Sequence, residues 1–293
     1  MTVGVIAMAY GTPASPEDVE AYYTHIRRGR PPTPELLANL RDRYDAIGGV
    51  SPLRENTEAQ LARLRDALGE RCIVELGQKH APPFIEDAVA SVATAGVERV
   101  VGVVLAPHYS RGSVGEYLDR LRETAAGGGL EARGIESWWD LDPWLDFQAT
   151  AVKEALAELP ARTTVLFTAH SLPERVLDGD PYPDQLRASA EAIAQRAGVE
   201  RWDIAWQSAG RTPEPWRGPD IREVIAQLGG DPSTDGVLVC AQGFTADHLE
   251  VLYDLDVEAA ADARGADLAF ARTRMLNDDR DVFSALAERI RRT

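Results

Sequence analysis

The sequence predicts an α/β protein built from two doubly wound lobes, each a four-stranded parallel sheet flanked by helices, with a cleft between them. Short apolar runs of strand character alternate with amphipathic stretches along the whole chain, and that alternation implies parallel pairing with right-handed crossovers. The apolar runs number about eight and fall into two sets of four. At 293 residues the chain also reaches the size at which single cores give way to separate lobes.

The first half opens with Val3–Ala9 (VGVIAMA), a buried-strand pattern stopped by Tyr10-Gly11-Thr12-Pro13. Ser15-Pro16-Glu17-Asp18 then opens a helix, with serine as cap, proline in the first turn and acids at the positive end of the dipole. It leads to His25-Ile26-Arg27-Arg28-Gly29-Arg30 and is broken by Pro31-Pro32. Thr33-Pro34-Glu35 starts a second helix reaching about Tyr44, and after the Gly48-Gly49 turn Leu61, Leu64 and Leu68 mark the stripe of a third. Ile73–Leu76 is a strand ending in Gly77-Gln78-Lys79-His80, Phe84–Ala95 is a helix, and Val100–Leu105 is a strand ending in Ala106-Pro107-His108. A helix from about Ser113 reaches Gly127-Gly128-Gly129, and Leu130–Ser137 is the fourth strand.

The second half repeats the pattern. A helix over Pro143–Leu159 precedes the strand Val165–Thr168, which delivers His170, followed by Ser171 and the turn residue Pro173. The helix Pro183–Ala197, the strand Trp202–Trp206, a helix from about Asp220 and the strand Val237–Cys240 follow. A helix begins near Asp247, Asp267–Ala271 is the last strand, and Asp281–Arg292 is a closing helix. The expected lobes are residues 1–145, joined by the C-terminal helix 275–293, and residues 146–274.

With 44% hydrophobic and 27% charged residues the chain reads as an ordinary soluble globular protein. Its net charge of -16 argues against a nucleic-acid partner, because the field repels phosphates. Cys72 and Cys240 lie far apart with no CxxC spacing, which excludes a four-cysteine zinc or iron–sulfur centre made by this chain alone and fits a reducing compartment. Met1 to Tyr10 has no basic leader, and no run approaches the ~20 apolar residues of a membrane span, so a cytoplasmic protein is expected. GxGxxG after the first strand, GxxxxGK[ST], GxSxG and HExxH are all missing, so neither dinucleotide nor nucleoside triphosphate is indicated.

Four residues end predicted strands at the carboxyl edge, where open α/β sheets hold ligands: Tyr10, His80, His108 and His170. Histidine there serves as metal ligand or proton acceptor; for His80 and His108 a plain strand-capping role is the better reading. The segment Asp247-His248-Leu249-Glu250 runs on to Asp254 and Glu258, and on a helix those last three carboxylates share one face. Like charges at that spacing repel, and a divalent cation would offset the repulsion; a solvated acidic face is the competing reading. Arg27, Arg28 and Arg30, with Arg41 and Arg43 nearby in sequence, form a basic patch suited to a carboxylate ligand, although the helix dipole accounts for one or two of them. The residues alone support a divalent-metal site and an anion-binding arginine patch.

Taken together these segments resemble the ferrochelatase family: AYGTP with Tyr10, YYTHIRRGR, RYDAIGGVSPL, KHAPPFIEDAV, LAPHYS, AHSLPERV with His170, GDPYPDQL, WQSAGRTPEPWRGPD and GFTADHLEVLYDLD. They run in the family's order from residue 7 to about residue 258. The resemblance implies two Rossmann-like lobes of the class II chelatase kind and insertion of Fe²⁺, itself a substrate, into a porphyrin without ATP or redox cofactor. It implies that His170 and Glu250 face each other on one side of the macrocycle. His170 would bind metal, accept pyrrole protons, or both. Glu250 would be metal ligand and proton relay, with Asp254 and Glu258 leading toward solvent. Tyr10 would lie on the opposite face as an iron ligand, and Arg27, Arg43, Ser51 and Tyr117 near the propionates.

The chain has no cysteine-rich extension, so no iron–sulfur cluster is expected; an accessory Mg²⁺ at the acidic helix face is. Compact length and Tyr10 match the soluble, monomeric branch that uses coproporphyrin III, whose four propionates suit the arginine patch; protoporphyrin IX, with two, is the alternative. Transient contact with neighbouring heme-pathway enzymes is expected. A non-catalytic tetrapyrrole carrier would need the arginines and Tyr10 but not the His170–Glu250 pair, whereas a cobalt or nickel chelatase would keep the pair.

Overall fold

The computed structural model describes residues 2–293. β1 (Val3–Ala9), β2 (Cys72–Gln78), β3 (Arg99–Val104) and β4 (Glu131–Ile135) form one parallel sheet in the order β2-β1-β3-β4. β5 (Thr163–His170), β6 (Trp202–Gln207), β7 (Gly236–Cys240) and β8 (Ala269–Arg272) form the other, in the order β6-β5-β7-β8. The topology is the same twice over: each lobe's first strand lies between its second and third. The chain therefore winds outward in both directions from β1 and from β5, and such a reversal opens a crevice beyond the strand ends.

A shared helical layer joins the sheets. α3 (Leu53–Leu68), α6 (Asp142–Leu156), α8 (Tyr182–Ala197) and α12 (Arg280–Arg292) contribute Leu61, Trp144, Leu186 and Phe283 to one core that also takes Val5 and Val103 from one sheet and Phe167 and Leu238 from the other. α12 returns to pack on α3 and α6, and α6 straddles the lobe boundary expected at residue 145. The outer face of the first sheet is covered by α4 (Ile85–Thr94) and α5 (Glu116–Gly127). α9 (Ile221–Gly229) and the helical segment 249–265 cover that of the second.

The first lobe's lip is α1 (Val19–Ile26) with α2 (Pro34–Ala46), whose Thr33 caps it by accepting from Leu36 N. The helix expected from Ser15 begins instead as a tight turn over Pro16–Asp18, because Ser15 Oγ donates to Asp18 at 2.9 Å rather than accepting from the backbone. Gly11, at φ 91, lets the turn after β1 fold against residues 78–81; an added Cβ would meet that of Ala81 at 2.9 Å.

Two departures touch the cleft. A short helix, α7 (Glu174–Leu177), follows His170 and has too few residues to leave a periodicity in the sequence. The helix expected from Asp247 starts at Leu249, makes one turn as α10 (Leu249–Val251), widens into π-helical turns over Leu252–Ala259 and resumes as α11 (Ala260–Gly265). In π turns the bonds run i to i+5, so the acidic residues do not stack as on a regular α-helix. Among the described residues no helix is long and apolar enough to cross a membrane.

Candidate active site

His170 is the last residue of β5, and its Nδ1 lies 2.5 Å from the carbonyl oxygen of Ser171. A carbonyl only accepts, so Nδ1 carries the proton and Nε2 presents the lone pair of the neutral ring. Facing it is Glu250, in the single turn of α10: Oε2 lies 3.6 Å from His170 Nε2 and 3.7 Å from His248 Nε2. His248 repeats the arrangement, its Nδ1 donating to Ala246 O at 2.9 Å. Two imidazoles, each tied back through Nδ1, thus aim Nε2 at one carboxylate. The His170 and Glu250 side chains are 34% and 32% exposed, so the pair faces an open cleft.

Burial alone would push the pKa of His170 down and that of Glu250 up; their attraction reverses both. His170 is raised to about 9, because the Glu250 carboxylate, the Ser171 carbonyl and Asp254 outweigh desolvation. Glu250 is held well below the usual carboxylate range by His170 and His248.

The first lobe positions this second-lobe residue. From α3, Asn56 Nδ2 donates to Asp247 O at 3.0 Å and Gln60 Nε2 to Thr245 O at 3.3 Å, while Thr245 Oγ1 donates to Leu105 O beyond β3 at 2.9 Å. The loop that launches Glu250 is therefore clamped from across the cleft.

Asp254 and Glu258 do not join His170 and Glu250 around a common point. Asp254 is buried, accepts from Ser208 Oγ at 2.5 Å and pairs with Arg43; burial outweighs Arg43 and raises it to about 6. Glu258 lies 3.5 Å from Arg222, which also holds Asp262. Each of these two carboxylates has a guanidinium group beside it, Arg43 at Asp254 and Arg222 at Glu258. Arg43 is correspondingly not a free anion binder: Asp254 takes it, and it stacks over the Tyr253 ring at 4.7 Å.

Tyr10 projects from the turn after β1, 44% exposed, its ring 4.6 Å from that of His80. Desolvation by the surrounding protein and the charge of Glu250 raise its phenol above the ordinary value, so Tyr10 senses Glu250 from the opposite lobe. Arg27 ends α1 beside Tyr23 and donates from Nε to Arg30 O at 3.3 Å; Arg28 is exposed next to it. Ser51 is buried just before α3 and its Oγ accepts from Leu53 N at 3.2 Å. The Tyr117 ring belongs to the first lobe's outer core, with Lys79 Nζ 5.1 Å above it. The cleft thus gathers His170, Glu250 and Tyr10, keeps Arg27 and Arg28 at the rim, and leaves Arg43, Ser51 and Tyr117 in structural contacts.

His248 and Gln207 are site residues that the sequence reading passed over. The only signal for His248 was its place beside Glu250 in Asp-His-Leu-Glu; Gln207 looked like the end of an ordinary strand.

Paired four-stranded parallel sheets, with an imidazole and a carboxylate of the second lobe set at the cleft, define a two-lobed protein of chelatase fold. Two solved structures share that fold. One, "SirB from Bacillus subtilis with Fe3+", has TM-score 0.59 at 13% identity and covers 99% of this chain and 95% of that one. The other is CbiX, titled the terminal enzyme for biosynthesis of siroheme in denitrifying bacteria, with TM-score 0.56 at 15% identity over 100% and 99%. The family model described as Ferrochelatase matches residues 2–293. A coproporphyrin III ferrochelatase of Bacillus subtilis (strain 168) is 44% identical, covering 97% of this chain and 96% of that protein. Its counterpart in Anoxybacillus flavithermus is 43% identical over 97% and 94%. The chain belongs to the ferrochelatase family.

Proposed function

We propose that the protein inserts Fe²⁺ into coproporphyrin III, the substrate for which its Bacillus and Anoxybacillus relatives are named. It would do so without nucleotide, redox cofactor or iron–sulfur cluster, as a monomer in the cytoplasm that meets other heme-pathway enzymes only transiently. The observation that carries the reading is the His170–Glu250 contact at 3.6 Å, open to the cleft. Insertion removes two pyrrole N–H protons as a dication enters, so it needs an oxygen ligand for the metal and a nitrogen base beside it.

At neutral pH the resting pair is imidazolium and carboxylate, because Glu250 lifts His170 to about 9. Fe²⁺ arriving at Glu250 cancels the charge that stabilises the imidazolium and repels it directly. His170, partly exposed, then gives up its proton to solvent in the cleft, and Nε2 is free to accept one from a pyrrole or to steer the metal. Asp254, raised to about 6, is the adjoining carboxyl and exchanges protons near neutrality. On the rim, Arg27 and Arg28 offer guanidinium groups to propionates.

The test compares Fe²⁺ insertion into coproporphyrin III and protoporphyrin IX by the wild type and by Arg27→Ala. The wild type should prefer coproporphyrin, and Arg27→Ala should weaken its binding more than that of protoporphyrin. A preference for protoporphyrin, or equal losses, would overturn the substrate assignment.

A further inference from the structure

We infer that Gln207 is the positioning residue that sets the separation of His170 and Glu250. This rests on reading that pair as the insertion site. The two residues come from distant parts of the second lobe, the end of β5 and the helix after β7, and at 3.6 Å no direct hydrogen bond fixes their spacing. Gln207, the last residue of β6, is the register partner of His170 and is 1% exposed.

Gln207 reaches both halves of the pair. Its main-chain oxygen accepts from Ser171 N at 2.8 Å, and Ser171 in turn holds the His170 Nδ1 proton on its own carbonyl. Its side-chain Nε2 donates to the main-chain oxygen of Glu250 at 3.3 Å. That oxygen only accepts, so the amide orientation is settled: Oε1 must be the atom facing Thr168, and it takes the Thr168 Oγ1 proton at 2.9 Å. Thr168 stands two residues before His170 on β5, so one buried amide ties the strand carrying the imidazole to the turn carrying the carboxylate. The next residue continues the bracket, Ser208 Oγ donating to Asp254. The amide touches neither reacting group; it acts on where they are held.

The experiment replaces the amide by a side chain of similar length that makes no hydrogen bonds, Gln207→Met. Groups that orient metal ligands from the next layer typically contribute tenfold to a hundredfold. Accordingly kcat for Fe²⁺ insertion should fall by roughly that factor while KM for coproporphyrin III stays unchanged. Zn²⁺ affinity of the porphyrin-free protein, measured by calorimetry, should weaken in parallel. Added to Glu250→Gln, the substitution should cost no further turnover, as for residues that act as a unit. Thr168→Val, which frees the amide with Gln207 in place, should show a smaller version of the same split and serves if Gln207→Met does not fold. A folded Gln207→Met, or failing that a folded Thr168→Val, with wild-type kcat and Zn²⁺ affinity would overturn the inference. Wild-type turnover in His170→Ala would instead overturn the functional reading on which it rests.

Discussion

His80 and His170 occupy comparable places, one in each lobe, at the carboxyl edge of a parallel sheet, yet their surroundings drive them to opposite extremes. His80 packs against Tyr10, with its Nδ1 3.1 Å from His25 Nδ1. Burial, with Lys79, His25 and Arg120 adding positive charge, holds it down at about 3. His170 is also partly enclosed, but Glu250 lifts it to about 9. His108, beyond β3, is sealed against Ser189 at 2.8 Å, and burial takes it to about 3. The strand end supplies position; the charge set beside it decides whether an imidazole can hold a proton at neutral pH.

The sharpest way to break this comparison is by turnover. His170→Ala should lose about 10²- to 10⁴-fold in Fe²⁺ insertion, the range of a positioned proton-transfer group. His80→Ala, removing a ring that stays neutral throughout the working range, should lose far less. Initial rates with coproporphyrin III decide it, and equal losses would show that position alone had mattered.

A second contrast sets Arg43 against Arg222, the two arginines that answer Asp254 and Glu258. Arg43 and Asp254 are largely buried, with side chains 23% and 9% exposed, whereas Arg222 is 51% exposed. Removing one partner of a buried pair leaves an uncompensated charge and costs about 3–5 kcal/mol; an exposed pair contributes about 0–1 kcal/mol. Urea unfolding should therefore show Arg43→Met destabilised by about 3 kcal/mol, toward the lower end because Arg43 keeps some solvent. Arg222→Met should fall by less than about 1 kcal/mol. Similar losses would mean that Asp254 is solvated well enough to do without its partner.

The central strands were legible because parallel strands buried on both faces leave uninterrupted apolar runs, as in Val3–Ala9 and Val237–Cys240. His170 and Glu250 were legible as chemistry because each follows such a run. Their facing was not: nothing in the spacing says that α3 reaches across to clamp Thr245 and Asp247, or that Gln207 links the two. Asp254 and Glu258 misled for a related reason. Their spacing suggested a shared face of a regular helix, but the turns there are π-helical and the facing charges, Arg43 and Arg222, come from α2 and α9. Arg43 likewise looked like a free anion binder because its partner is remote in sequence. Ion pairs between distant elements leave no local pattern, and in this cleft they engage Asp254 and Glu258 while the His170–Glu250 pair stays open.

The smallest effects concern titration itself. Burial is the largest influence on His170 and lowers it; Glu250 first, then the Ser171 carbonyl and Asp254, raise it above the ordinary 6.5. Glu250→Gln removes the main raising charge, so the ring should titrate below 6.5 when followed by NMR. The sign for stability follows from linkage. A histidine raised to about 9 contributes stability that is full below pH 6.5 and lost as pH climbs through 9. One lowered to about 3 contributes above 6.5 and loses that contribution as pH falls toward 3. Wild-type thermal stability should therefore decline on the alkaline side through the second lobe's histidine and on the acid side through the first lobe's. Glu250→Gln should abolish the alkaline decline that His170 causes and should also remove the acid-side contribution of the depressed Glu250 carboxylate itself. Lys79→Met should raise His80 slightly, because burial, not Lys79, leads its depression. A His170 ring that still titrates above 6.5 without the Glu250 carboxylate would show that its charge is set elsewhere, and the contrast between the two lobes would lose its cause.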